Sequence, residues 1–183
     1  MADWCYREGG MSVRGESAAA ALVRPLDTLV VESERVGVAE DPVATWDLRP
    51  ADRVTLARFG VPRVRRVDPQ VQQGREPELV HDQRSFYSLG RFSRLEIGLV
   101  PGLGEVRGIP SDEWSEECFT NSSVVYFVET AWRWYRVWKD VEQLQGDIEL
   151  YDVLDDFLAF AAQLDPQVGT DDSSAWRGRI KVW

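Results

Sequence analysis

The chain has one histidine, His81, set between Val80 and Asp82. Proton relays, metal sites and Ser-His or Cys-His nucleophiles all require an imidazole to work with a partner group held beside it. There is no second histidine to share a metal, and no Gly-x-Ser-x-Gly turn offers a serine to His81. His81 is therefore expected to be a loop or surface residue. Gly102, Gly104 and Gly108 come close to the phosphate-cradling pattern, but the third glycine falls one place late and no helix is signalled behind it, so they predict a hairpin turn. Walker, zincin, EF-hand and zinc-deaminase spacings are missing. Cys5 and Cys118 are too distant for a zinc knuckle and too few for a disulfide framework, which implies reduced thiols. No cofactor and no metal are expected.

Carboxylates are the remaining reactive groups. Paired carboxylates can hold a catalytic metal or cleave a glycosidic bond. Here they fall mostly at helix-surface spacings. For Asp155 and Asp156 three readings compete: a solvated helix face, an anionic surface for a partner, and catalysis. The charge is unevenly spread: residues 1–48, 49–94, 95–139 and 140–183 carry net charges of −5, +5, −3 and −7, and Asp140 to Asp172 contains ten acids and no Lys or Arg. The overall charge of −10 disfavours a direct grip on nucleic acid, because binders of phosphate usually carry a basic surface.

The elements that must position these groups follow from period and punctuation. Residues 1–18 are expected to form a flexible N-terminus, with a single domain over 19–183. Residues 19–36 fit helix or strand. Pro50 and Asp52 open a short helix that Gly60 closes. Residues 63–82, rich in Arg, Gln and Pro, predict an irregular crossing loop with a short strand near Leu79-Val80, and a function could sit there. Phe86 to Leu89, Leu95 to Val100, Glu105 to Ile109 and Cys118 to Thr120 predict an antiparallel meander. Asn121 and Ser122 are assigned as caps of a long helix whose apolar stripe is Val124, Phe127, Val128, Ala131, Tyr135 and Trp138. Trp134, off that stripe, is expected to reach the surface. A second helix runs from Asp147 to Leu164, with Leu150, Leu154, Phe157, Leu158 and Ala161 inward and Glu149, Asp152, Asp155 and Asp156 outward. The tail from Trp176 to Trp183 predicts a final strand or an aromatic plug.

Strands followed by helices, without strict alternation, indicate an α+β fold: an antiparallel sheet of about four to six strands with helices packed on one face. A length of 183 residues with 44% hydrophobic content suits one compact core. No window approaches the roughly 20 consecutive apolar residues of a membrane span, and the run from Ala18 to Val23 is shorter than a signal-peptide core. A cytoplasmic location is expected.

Leu56 to Pro62, Leu95 to Val100 with Glu105-Val106, and Phe119 to Phe127 together resemble the SUKH superfamily of bacterial immunity proteins, nearest its fourth subfamily. Leu56-Ala-Arg-Phe-Gly-Val-Pro62 is similar to the family's short helix ending in a Gly-hydrophobic-Pro turn. Leu95-Glu-Ile-Gly-Leu-Val100, with its turn and Glu105-Val106, is similar to the central hairpin. Phe119-Thr-Asn-Ser-Ser-Val-Val-Tyr-Phe127 resembles the start of the family's main helix. The likeness covers residues 48–165. It implies a non-enzymatic protein that binds and neutralises a protein toxin, commonly a nuclease or a nucleic-acid deaminase. An acidic surface suits that task, since it can occupy the basic cleft of such a toxin and steer the encounter. The expected contact residues are Asp140, Glu142, Asp147, Glu149, Asp152, Asp155 and Asp156, helped by Glu116 and Glu117 of the group that includes Asp112 and Glu113, and by Trp134. The rival readings are an intracellular scaffold or regulatory module on the same fold and, behind it, a metal-dependent hydrolase.

Overall fold

A computed structural model describes residues 13–37, 40–63, 71–92, 95–110, 116–141 and 147–180. Its centre is a five-stranded sheet in the order β3-β4-β5-β6-β7, antiparallel throughout: β3 Leu79–His81, β4 Arg84–Phe92, β5 Leu95–Leu99, β6 Val106–Pro110 and β7 Cys118–Asn121. A two-residue pair, β1 (Arg35–Val36) with β2 (Val61–Pro62), forms a second small sheet. The helices among the described residues are α1 Val13–Val23, α2 Leu26–Leu29, α3 Glu40–Thr45, α4 Pro50–Phe59, α5 Val124–Val141, α6 Asp147–Leu164, α7 Pro166–Thr170 and α8 Ala175–Ile180. The expected α+β architecture and its antiparallel meander are present.

The meander follows from its turns. Tight connections between alternating apolar strands leave no length for a crossover, so each strand must pair with its predecessor. The β3–β4 turn puts Asp82 and Gln83 at φ 45° and 63°, the two left-handed positions that a two-residue hairpin requires. Gly104, at φ 71°, closes the β5–β6 turn against α4, where a Cβ would run into Asp52 Oδ2. Tyr87, Leu89, Ile97, Leu99 and Val106 from the sheet join Leu56 from α4 and Val124, Phe127, Val128, Ala131 and Trp132 from α5 in the main core. Trp46 stacks on Tyr87 with ring centroids 4.6 Å apart, and Tyr87 Oη accepts the Asp47 N–H at 2.9 Å, which fixes the approach to α4.

Several local expectations change. α1 begins at Val13, inside the segment taken as a loose terminus, and its Ala18 is fully buried. The ambiguous stretch from residue 19 resolves as helix first, through α1 and α2, and strand only at Arg35. Trp176 lies in helix α8, not in a strand, and its ring plugs against Phe157 at 5.5 Å. Most consequential is the start of α5. Ser123 Oγ accepts the Tyr126 N–H at 3.1 Å and Asp52 Oδ1 accepts the Val125 N–H at 3.3 Å, so Ser123 and Asp52 cap the helix. Asn121 and Ser122, assigned as caps from the sequence, instead serve Asp165: Ser122 donates from N–H at 2.7 Å and from Oγ at 3.0 Å, and Asn121 donates from Nδ2 at 3.2 Å. Both precede the cap Ser123, and their side chains are turned toward the α6–α7 junction.

The N-terminal helices pack Ala18, Ala21 and Leu29 against Val137 and Val153, and they are also held through main chain. Arg133 on α5 donates to the carbonyls of Leu22 at 3.2 Å and Arg24 at 2.9 Å, and Arg136 Nε donates to that of Leu29 at 2.8 Å. These guanidiniums neutralise the carbonyl ends of α1 and α2, where the helix dipole is negative. Glu34 lies between Arg136, at 2.8 Å, and Lys139. Burial by itself raises the Glu34 carboxyl, and the two cations outweigh it, leaving the group below its ordinary value. The hydrogen bond to Glu34 raises the Lys139 ammonium in turn, against the opposing effect of its burial.

Candidate partner-binding surface

α6 runs from Asp147 to Leu164, the bounds that its period and Pro166 predict. Its inner side holds Val153, Leu154, Phe157 and Ala161, all buried. Phe157 meets Trp134 of α5 at 4.8 Å and Trp176 of α8 at 5.5 Å, so three helices lock around one aromatic contact. That packing fixes the rotation of α6 and forces the remaining side chains outward. Asp152, Asp155 and Asp156 are exposed on the outer face, and none of them forms an ion pair with a described residue. Tyr151 shares that face and is 62% exposed. Its signal was there in the spacing: Tyr151 and Asp155 are four residues apart and fall on one helical face.

The other expected contact residues divide. Trp134 is a correction: it is only 6% exposed. α5 is covered by α1, α2, α4 and α6, so an apolar residue off its main stripe still meets a neighbour, here Phe157, Trp138 and Trp176. Glu116 is exposed just before β7, while Glu117 is ion-paired with Arg84 of β4 and belongs to the sheet surface. Asp147 and Glu149 lie in the first turn of α6 and Asp140 near the end of α5, with only their backbones described. Glu142, Asp112 and Glu113 lie outside the described residues.

For other chemistry the geometry offers little. His81 sits on β3 with Nε2 3.9 Å from Asp82 Oδ2. Among the described residues no group of three or more His, Cys, Asp and Glu side chains is placed to hold a metal. Among them, too, no helix is long and apolar enough to cross a membrane.

The family model for the SUKH-4 immunity protein matches residues 22–181. The chain belongs to the SUKH-4 immunity protein family. The match extends the resemblance beyond residues 48–165 at both ends, taking in α2, the β1–β2 pair and the Trp176 helix. No curated protein and no solved structure matches the chain. Membership gives this SUKH-4 protein an immunity role with a protein toxin as its partner.

Proposed function

We propose that this SUKH-4 immunity protein neutralises a toxin that acts on nucleic acid, by laying the outer face of α6 over the toxin's active site or substrate channel. The reading is carried by one observation: Asp152, Asp155 and Asp156 stand exposed and without an ion-pair partner among the described residues, beside an exposed Tyr151, on a helix whose opposite side is locked in the core. A channel that holds phosphates is basic, and acids on a rigid helix complement it without first having to be ordered. The tyrosine adds a large, stiff contact surface of the kind enriched at binding hot spots. The protein acts by occlusion, as a cytoplasmic binding partner without a reaction of its own.

The test is association with candidate toxin domains encoded near the gene, measured by calorimetry after co-purification. Changing Asp152, Asp155 and Asp156 together to Arg weakens binding at least about tenfold, because three opposed charges become three repulsive ones. Affinity within about threefold of the parent overturns the assignment to α6, since charge reversal at a true contact cannot be that silent.

A further inference from the structure

A cavity of about 800 Å³ opens where the 71–78 segment, β1, β3, β4 and β5 meet. Its apolar lining is Val36, Val71 and Leu79, and two acids, Glu78 and Glu96, line it as well. The two acids are held differently. Glu96 Oε1 accepts the Ser88 hydroxyl at 2.7 Å. At Glu78 only the main chain is tied, its N–H donating to Gln72 Oε1 at 3.3 Å while the side chain is exposed, and the same oxygen accepts the Ser88 N–H at 3.0 Å. Gln72 is only 5% exposed and also ties its own N–H to the Ser88 carbonyl at 3.0 Å, so the segment is pinned to β4 as a firm edge. Neither carboxylate forms an ion pair with a described residue; Arg91, opposite Glu96 in the β4–β5 register, is exposed and makes none with it.

Two carboxylates lining an aliphatic groove, one of them held by Ser88, match one kind of group. Arginine and lysine lay a hydrocarbon stem on apolar surface and carry a cation at the tip. A guanidinium between two carboxylates makes charge-assisted hydrogen bonds stronger than neutral ones. We infer that this groove receives a short basic segment of the partner protein, with an arginine or lysine stem on Val36, Val71 and Leu79 and its cation between Glu78 and Glu96. The inference rests on the reading of the chain as a toxin-binding protein and adds a second contact, distinct from α6.

The probe is the tripeptide acetyl-Val-Arg-Val-amide, titrated into the full-length protein while the amide resonances of Val71, Gln72 and Ser88 are followed. Counterparts with Glu or norleucine at the centre serve as charge-reversed and neutral arms. The arginine peptide gives saturable shifts at those amides, the neutral peptide binds at least about fivefold more weakly, and the Glu78→Gln, Glu96→Gln double variant loses about fivefold for the arginine peptide, as expected for partly exposed ion pairs. Glutamine at 96 retains an acceptor for Ser88, and the neutral and reversed peptides test the idea on the unaltered protein should the variant fold poorly. Absence of saturable shifts, equal binding of the arginine and norleucine peptides, or an unchanged affinity in a folded double variant would each overturn the groove. Such a failure leaves toxin binding through α6 standing. Conversely, a toxin indifferent to the α6 reversals overturns that face and says nothing against peptide binding here.

Discussion

Ser122 gives two hydrogen bonds to one buried carboxylate: its N–H lies 2.7 Å from Asp165 Oδ2 and its hydroxyl 3.0 Å from Asp165 Oδ1. Asn121 extends the network, donating from Nδ2 to Asp165 while its Oδ1 accepts the Trp176 indole N–H at 2.9 Å. The end of β7, the α6–α7 junction and α8 are thereby joined through one acid that is 1% exposed. Asp165→Ala strips partners from one buried and two part-buried donors and is expected to cost about 3 kcal/mol, whereas Ser123→Ala, which loses a single helix cap, costs about 1 kcal/mol. Urea denaturation measures both, and equal losses would contradict the division of labour within Asn121-Ser122-Ser123.

Trp134 provides a second check. Because it is buried against Phe157, Trp138 and Trp176, Trp134→Ala is expected to destabilise the fold by about 3–5 kcal/mol. At a temperature where the variant remains folded, its toxin affinity stays close to that of the parent. A stable variant with weak binding would instead make Trp134 a contact residue.

How much of this was legible depended on how local the cause was. The bounds of α6 follow from its own period and from Pro166, and the strands of the meander from alternation and turn residues, all within a few positions. The cap of α5 was not legible in the same way. Asn121, Ser122 and Ser123 are all good capping residues, and the choice among them is made by Asp165, which lies far along the chain and is brought there by the packing of α6 and α7. Trp134 was misplaced because a helical wheel shows only one helix, and the surface facing that tryptophan comes from Phe157 and Trp176. Tyr151 could have been found from its four-residue spacing to Asp155.

The pH response follows from Glu34. Its carboxyl titrates below its ordinary value because Arg136 and Lys139 outweigh the cost of its burial. A depressed acid contributes stability that is complete above the unfolded value and is lost as pH falls through the folded one. Glu34→Gln therefore lowers the melting temperature at neutral pH, and its difference from the parent shrinks as the solution is acidified below the ordinary carboxylate value of 4.5. Lys139, raised above its ordinary value, supports the same cluster until the pH climbs through its folded value. A mutant–parent difference that stayed constant from neutral to acid pH would show that the ion cluster adds nothing to stability.

Salt separates steering from contact at α6. With Asp152, Asp155 and Asp156 exposed, raising the salt from about 0.05 M to about 0.5 M slows toxin association roughly tenfold or more and changes dissociation far less. Replacing the three by Asn flattens that dependence. Stopped-flow association rates supply the measurement; a parent protein already insensitive to salt would remove electrostatic steering from the account.

Arg133 and Arg136 grip the carbonyls of Leu22, Arg24 and Leu29. A carbonyl is the same group whichever residue carries it. Sequence drift at the exposed positions of this segment therefore leaves its fastening intact, provided the two arginines stay. The N-terminal helices are a place where the chain can vary its surface at little structural cost, and the record of what holds them down is written in α5.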